Sequence, residues 1–381
     1  MMSDSLNINS KLGVLGGGQL GRMLIQSAID LNLDVSVLDG DPNAPCKDLA
    51  KEFVCGSITD YETVIKFGES CDIITIEIEN VNTDALKELQ KTGKTVYPQP
   101  EVIELIKNKV DQKKFYIENS IPTAPFIEVK NRAEISGKID FLPAVNKLAR
   151  EGYDGRGVIV LKSKSAINEA FDAPGLLEKY IDFEKELAVI VARNKSGEIR
   201  AFPVVELVFH PEANLVEYLF SPANISSETA KRATEIAKKV IKSLDMTGLL
   251  AVELFLTRDG DILVNESAPR THNSGHHTIE SSVTSQFEQH LRAILNLPLG
   301  STENIMPAAM VNLLGEDGHF GDAKFEGLNK ILSLEGTHIH LYGKKITKPF
   351  RKMGHVTILD KSIESLKEKV KFVKSTIKIV A

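Results

Sequence analysis

The chain has 381 residues, which at roughly 150 residues per domain points to two or three domains. Its 42% hydrophobic and 26% charged residues form a globular balance that excludes a disordered tail protein and a fibrous repeat. The net charge of -6 lacks the basic footprint of a general nucleic-acid binder, so no nucleic-acid partner is expected.

In chain order, residues 1–10 are polar and no apolar run precedes Leu12, so they read as a frayed extension and not a secretion signal. Residues 11–15 predict a strand and 16–18 a turn. Leu20, Met23, Leu24, Ala28 and Leu31 then recur at helical spacing. Strands follow at 35–38, 72–78 and 95–97, with helices at 61–67 and 83–92 between them. Such alternation implies a parallel sheet covered by helices. After Pro98-Gln99-Pro100, one helix is predicted over 101–118, carrying Lys107, Lys109, Lys113 and Lys114.

Five strands expected to be antiparallel come next, at 144–147, 158–162, 176–180, 186–192 and 199–208. An amphipathic helix covers 229–244. The strands 249–256 and 261–266 are joined through Asp259-Gly260, a strong hairpin signal. The stretch 249–256 is the most apolar in the chain, yet it contains Glu253 and falls far short of the ~20 residues that span a bilayer. No membrane partner is expected. The tail is β-rich over 336–358 and ends in a surface helix over 363–374. Cys46, Cys55 and Cys71 form no CxxC, which fits a reducing cytoplasm better than a disulfide framework or a zinc ribbon.

Several segments carry possible chemistry. Gly16-Gly17-Gly18-Gln19-Leu20-Gly21 is a G-x-G-x-x-G between a strand and a helix, with Asp39 ending the next strand. This pattern fits a dinucleotide site, and equally a tight turn for strand–helix packing. Glu151-Gly152-Tyr153-Asp154-Gly155-Arg156-Gly157 describes a glycine-rich hairpin lid that folds over phosphate oxygens, with Lys147 and Arg156 supplying positive charge. An ordinary surface hairpin is the alternative. Glu253 and Asn265-Glu266 sit on the two strands of the hairpin, where two carboxylates make a hard-oxygen site suited to Mg²⁺. The alternative there is a salt bridge to a lysine.

The loop Ser267-Ala268-Pro269-Arg270-Thr271-His272-Asn273-Ser274-Gly275-His276-His277 follows directly. A zinc site from His272, His276 and His277 is disfavoured because Gly275 breaks the helix that would align them. Glu77 and Glu79 share one side of a strand end where ligands gather in parallel sheets, and Arg351-Lys352-Met353-Gly354-His355 is a basic cluster. Each of these last two also reads as solvated surface. Gly93-Lys94-Thr95 mimics the end of a P-loop, but Glu88 stands where its first glycine belongs. From the residues alone, an NAD-dependent oxidoreductase and a non-catalytic nucleotide sensor remain rivals to an enzyme that uses a nucleoside triphosphate with Mg²⁺.

Taken together, these motifs resemble the ATP-grasp superfamily and, within it, the N5-carboxyaminoimidazole ribonucleotide synthetase family. The likeness runs through the segments at 16–23, 75–81, 152–157, 265–275, 285–292 and 351–355. It implies an α/β ATP-grasp fold. Residues 1–106 would form a Rossmann-like parallel-sheet domain, 107–183 a small lid domain, 184–304 the ATP-grasp domain and 305–381 a β-rich C-terminal segment. It also implies ATP and Mg²⁺ as cofactors, bicarbonate and aminoimidazole ribonucleotide as substrates, and a cytoplasmic homodimer.

The resemblance further assigns roles. Lys109, Lys147, Gly152, Tyr153, Asp154, Gly155, Arg156 and Gly157 would meet ATP phosphates. Glu178, Lys179, Tyr180 and Ile181 would meet adenine and Glu186 the ribose, with His210, Asn265 and Glu266 completing the ATP site. Glu253 and Glu266 would hold Mg²⁺. Arg270, His272 and Lys352 would be catalytic. Gln19, Leu20, Glu77, Glu79, Asn273 and Arg351, with Tyr153 and Asp154, would position the ribonucleotide. Three departures stand out. Lys109 occupies the place of an arginine, losing its bidentate fork. Glu151 opens the lid where the family has glycine, and the 206–210 segment leading to His210 is one residue longer than the family's.

Overall fold

The computed structural model describes residues 10–150, 157–211 and 215–381. Its first unit is a five-stranded parallel sheet of β1 (Lys11–Leu15), β2 (Asp34–Asp39), β3 (Glu52–Cys55), β4 (Ile73–Ile76) and β5 (Thr95–Val96), ordered β3-β2-β1-β4-β5. Helices cover the sheet, and for that reason Val14, Leu15, Val37 and Leu38 are all buried instead of alternating. The strand order reverses between β1 and β4, placing the crevice of this sheet at the start of helix Gln19–Asp30 and the end of β4.

The single helix expected over 101–118 is two helices, Pro100–Lys107 and Lys109–Glu118. Asn108 between them is extended, and its side chain accepts the Val110 amide at 3.0 Å, so it caps the second helix. The second unit is an antiparallel sheet of β6 (Phe126–Val129), β7 (Ala144–Leu148), β8 (Val158–Leu161) and β9 (Gly175–Lys179), ordered β6-β9-β7-β8.

The largest sheet contains β10 (Phe183–Arg193), β11 (Ile199–Ala201), β12 (Val205–Phe209), β13 (Val216–Ser221), β14 (Gly248–Thr257), β15 (Ile262–Ala268) and β16 (Ala308–Leu314). Its order is β15-β14-β10-β12-β13-β16, continued by strands Lys352–Leu359 and Thr337–Leu341. The expected strand over 199–208 is thus split in two around Pro203, which cannot donate to a ladder. The β-rich tail adds strands to the same sheet that carries the hairpin. Leu250, Val252, Leu254, Ile262 and Val264 pack on one face with Ala233, Ala237 and Val240 of helix Ser227–Ser243; on the opposite face Leu249 and Ala251 pack with Ala293 of helix Gln286–Ile294, and the cleft begins at Glu253.

Candidate functional site

Glu253 and Glu266 are cross-strand neighbours, and the register of β14 against β15 shifts just beyond them, from Glu253↔Glu266 to Leu254↔Val264. Asn265 is the extra residue of this bulge. A regular strand sends successive side chains to opposite faces, whereas the bulge lets Asn265 and Glu266 both face the cleft. Asn265 Oδ1 accepts from Lys147 Nζ at 2.8 Å, and Glu266 is paired with Lys109 at the start of helix Lys109–Glu118. The lysine salt bridge read as the alternative for these carboxylates is therefore present at Glu266. His272 Nε2 lies 3.7 Å from Glu253 Oε1.

Lys147 on β7 has a second partner, Glu178 on β9, at 3.1 Å. Lys113 lies at the same distance from Glu178 on its other side. Lys113 follows Lys109 by one helical turn, so both ammonium groups reach the cleft from one helix face. In the sequence Lys113 is one of four basic residues with no role of its own, and its i, i+4 spacing from Lys109 is the signal that the two share a face. Its ammonium also donates to Thr123 Oγ1 at 2.6 Å.

The charges tune one another. Burial acts to raise Glu178, but Lys147 and Lys113 together bring it below its usual value. Burial pushes Lys113 down to about 8, with Glu178 opposing. Glu253 is raised, by burial first and then by Glu266 and Glu186, while Lys109 holds Glu266 down. Burial together with Glu266 pushes Glu186, on β10 next to β14, up to about 7. Two carboxylates this close in a shielded cleft repel each other unless a cation neutralises them. The hard-oxygen pair fits Mg²⁺, whose remaining ligands are ordinarily phosphate oxygens and water.

A second group of residues surrounds the β4 end. Arg270, in the loop after β15, places Nε 3.0 Å from Glu79 Oε1. Glu77 instead turns to the helix start: it accepts the Gly18 amide at 2.6 Å and the Leu20 amide at 2.9 Å. Its carboxylate thereby occupies the anion position that a dinucleotide phosphate would take. A Cβ at Gly18 would lie 2.5 Å from Glu77 Oε1, so the glycine there makes room for an internal carboxylate. Asp39 accepts the Gly17 amide at 2.6 Å and the Asp41 amide at 2.7 Å, shaping the loop. The tight-turn reading of the glycine motif is the one the geometry supports. Leu20 is packed into the N-terminal core and its amide serves Glu77, so the structure does not bring it to the cleft as a substrate contact. Gln19 is the first residue of the helix and is half-buried.

The loop after Arg270 is held from below. Gln286 accepts the His272 amide at 2.9 Å and donates to the His272 carbonyl at 2.8 Å. His276 and His277 are buried, and their Nδ1 atoms meet Gln286 Nε2 at 3.2 Å and Ser281 Oγ at 2.7 Å. These contacts, not zinc, account for both rings. Asn273 exchanges hydrogen bonds with Asn312 at 2.9 Å in each direction. Lys352 opens a tail strand, and its charge reaches Glu253 and His276. Arg351 donates to the Ile346 carbonyl at 2.5 Å. The His210 ring packs edge-on against Phe350 at 5.4 Å and lines a pocket with Glu217, Asn312 and Lys374, so it lies on the tail side. Gly157 has φ 71°; Gly152, Tyr153, Asp154, Gly155 and Arg156 lie outside the described residues.

A parallel N-terminal sheet, a small antiparallel sheet and a large sheet whose hairpin carries paired carboxylates under converging lysines define an ATP-grasp ligase. Residues 9–107 match the ribonucleotide synthetase preATP-grasp domain, 114–287 the ATP-grasp domain and 308–369 the phosphoribosylaminoimidazole carboxylase C-terminal domain. The chain belongs to the N5-carboxyaminoimidazole ribonucleotide synthetase family. It is 40% identical to the N5-carboxyaminoimidazole ribonucleotide synthase of Synechococcus elongatus, over 91% of this chain and 89% of that protein. The crystal structure of N5-carboxyaminoimidazole ribonucleotide synthetase from Thermotoga maritima superposes with a TM-score of 0.90 at 41% identity, covering 98% of this chain and 99% of that one. The Aspergillus clavatus N5-carboxyaminoimidazole synthase, solved with ADP and 5-aminoimidazole ribonucleotide, superposes with a TM-score of 0.88 at 35% identity, covering 96% and 98%. The chain spans 69% and 65% of two longer curated phosphoribosylaminoimidazole carboxylases. Among the described residues, no helix is long and apolar enough to cross a membrane.

Proposed function

We propose that the cleft between the small sheet and the β14–β15 hairpin is where this ATP-dependent ligase turns bicarbonate and ATP into carboxyphosphate and ADP, and that the Arg270–His272–Lys352 region passes the carboxyl group to the exocyclic amine of 5-aminoimidazole ribonucleotide. The observation that carries the reading is the convergence of Lys109, Lys147, Asn265 and Glu266 on one cleft wall beside Glu253. Lys147 and Lys109 meet the phosphates, with the glycines Gly152, Gly155 and Gly157 and Arg156 closing over them. Glu253 and Glu266 hold Mg²⁺, which neutralises phosphate charge when bound.

Glu186 accepts from the ribose hydroxyls. Glu178, braced by two lysines, faces the nucleotide. The amides of Lys179 and Tyr180 are already donated to the carbonyls of Pro125 and Pro143, so the contribution of this segment to adenine falls to its carbonyls and to Ile181. His210 is a contact of the tail pocket in this reading. Phosphoryl transfer asks the protein chiefly to position reactants and to neutralise migrating charge. Arg270, held by Glu79, and Lys352 are cationic clamps for bicarbonate and the ribonucleotide, and His272 handles the amine proton. Gln19, Glu79, Tyr153, Asp154, Asn273 and Arg351 orient the ribonucleotide; Glu77 acts through the helix start it caps. We further assign the chain to the cytoplasm as a homodimer; the mass from sedimentation equilibrium in the analytical ultracentrifuge checks the oligomer.

The decisive experiment measures phosphate release from ATP with bicarbonate or with formate, each with and without 5-aminoimidazole ribonucleotide. Release that requires bicarbonate and is accompanied by carboxylated product is expected. Release supported by formate instead, or the same without either acid, would overturn the reading.

A further inference from the structure

Behind His272 lies a seam of polar contacts of which the reaction described above uses only Asn273. Residues 273, 276 and 280 fall on one side of the short helical segment Asn273–Gly275 to Thr278–Ser281. Opposite them, Asn312, His355 and His340 form one row across three adjacent strands, Asn312↔His355↔His340. The two sets meet rung by rung. Asn273 and Asn312 exchange hydrogen bonds at 2.9 Å. The His276 and His355 rings lie 4.8 Å apart. His340 Nε2 and Glu280 Oε1 are 2.6 Å apart.

The row is tied laterally as well. His340 stacks on His355 at 4.5 Å and 11°, and Tyr342 Oη lies 3.0 Å from His355 Nδ1. Asn312 also donates to the Val216 carbonyl at 2.8 Å. Asn312 and His355 are buried, where polar side chains are retained only at a cost unless their partners are in place. One side of this seam ends at His272, next in sequence to Asn273. The other side runs into Lys352, three residues before His355 on the same strand. The two catalytic assignments thus come from different parts of the chain, and the seam is the built connection between them.

We infer that Asn312, His355 and His340 are positioning residues that, through Asn273, His276 and Glu280, hold the strand of Lys352 in register with the turn carrying Arg270 and His272. The inference rests on the proposed roles of those three residues in carboxyl transfer. Misplacement by about an ångström at a reacting centre can cost on the order of 100-fold in rate, so loosening the seam acts on transfer and not on the phosphate cleft.

The test measures labelled bicarbonate fixed into 5-aminoimidazole ribonucleotide per phosphate released, with the KM for Mg-ATP, in Asn312→Ala and His355→Ala. We expect fixation per phosphate to fall about tenfold or more with the KM for Mg-ATP within about twofold. His355→Phe keeps a ring between His276 and His340 and is expected to recover most of the loss. Where Asn312→Ala does not fold, Glu280→Ala at the far, partly buried end of the seam takes its place with the same expected direction. A parental ratio in the folded variants, or a loss shared equally by fixation and by the KM for Mg-ATP, overturns the inference. Lys352→Ala separates the two levels. Parental fixation in Lys352→Ala defeats the site reading itself, whereas an inactive Lys352→Ala beside parental seam variants defeats the inference alone.

Discussion

Glu253 and Glu266 stand opposite each other on neighbouring strands, yet their surroundings divide them: Lys109 closes on Glu266, while Glu253 faces His272. Removing the charge of Glu266 strips the cleft of the carboxylate held ionised by its lysine. Glu266→Gln is expected to lower ATP hydrolysis by about 100-fold or more, the scale seen when one preorganised electrostatic group is removed. Its thermal midpoint should stay within a few degrees of the parent. Turnover at the parental rate would remove Glu266 from the site.

Glu253 gives a proton-count prediction. Burial, Glu266 and Glu186 raise its pKa, so it carries more proton at neutral pH than an ordinary carboxylate, and a bound divalent cation expels that proton. Titrating Mg-ATP into the protein at pH 7 in buffers of different ionisation heat should show net proton release. The release should shrink in Glu253→Gln. Equal release in both proteins would refute the metal assignment.

Glu186 sets a pH dependence. Burial and Glu266 raise it to about 7, so its ionised, hydrogen-bond-accepting form grows as pH rises through that value. The KM for ATP should therefore fall between about pH 6 and 8, and Glu186→Gln should flatten the curve. The sign for stability is opposite. A carboxyl raised in the folded state favours folding below its unfolded value, and that contribution is lost as pH rises toward about 7.

Glu77 caps the helix Gln19–Asp30 from a distant strand. Glu77→Ala leaves two amide donors without their acceptor, which costs about 1–3 kcal/mol. A lowered urea midpoint with unchanged slope is the expected result. An unchanged midpoint would show that water replaces the carboxylate at no loss.

Much of this architecture was legible in the sequence because it is written in local periodicity. Buried apolar runs marked the parallel strands, and Asp259-Gly260 marked the hairpin that carries the carboxylates. The split at Asn108 was missed, although Asn is a strong helix cap. What could not be read depended on residues far apart in the chain. Nothing near Gly18 announces that Glu77 will fill its helix start, so the same glycines fit a nucleotide or a carboxylate. Lys113 acquires its role only where β9 brings Glu178 beside it. The seam of Asn312, His355 and His340 exists only once three strands are aligned.

The irregularity at Asn265 has a consequence for how this hairpin tolerates change in length. Deleting that residue would restore an even pleat with Glu266 still pointing at Glu253, so the divalent pair would survive while Lys147 lost its amide acceptor. An added residue at the Asp259-Gly260 tip would disturb neither. Two duties that lie side by side on one strand are thus separable by a single-codon deletion.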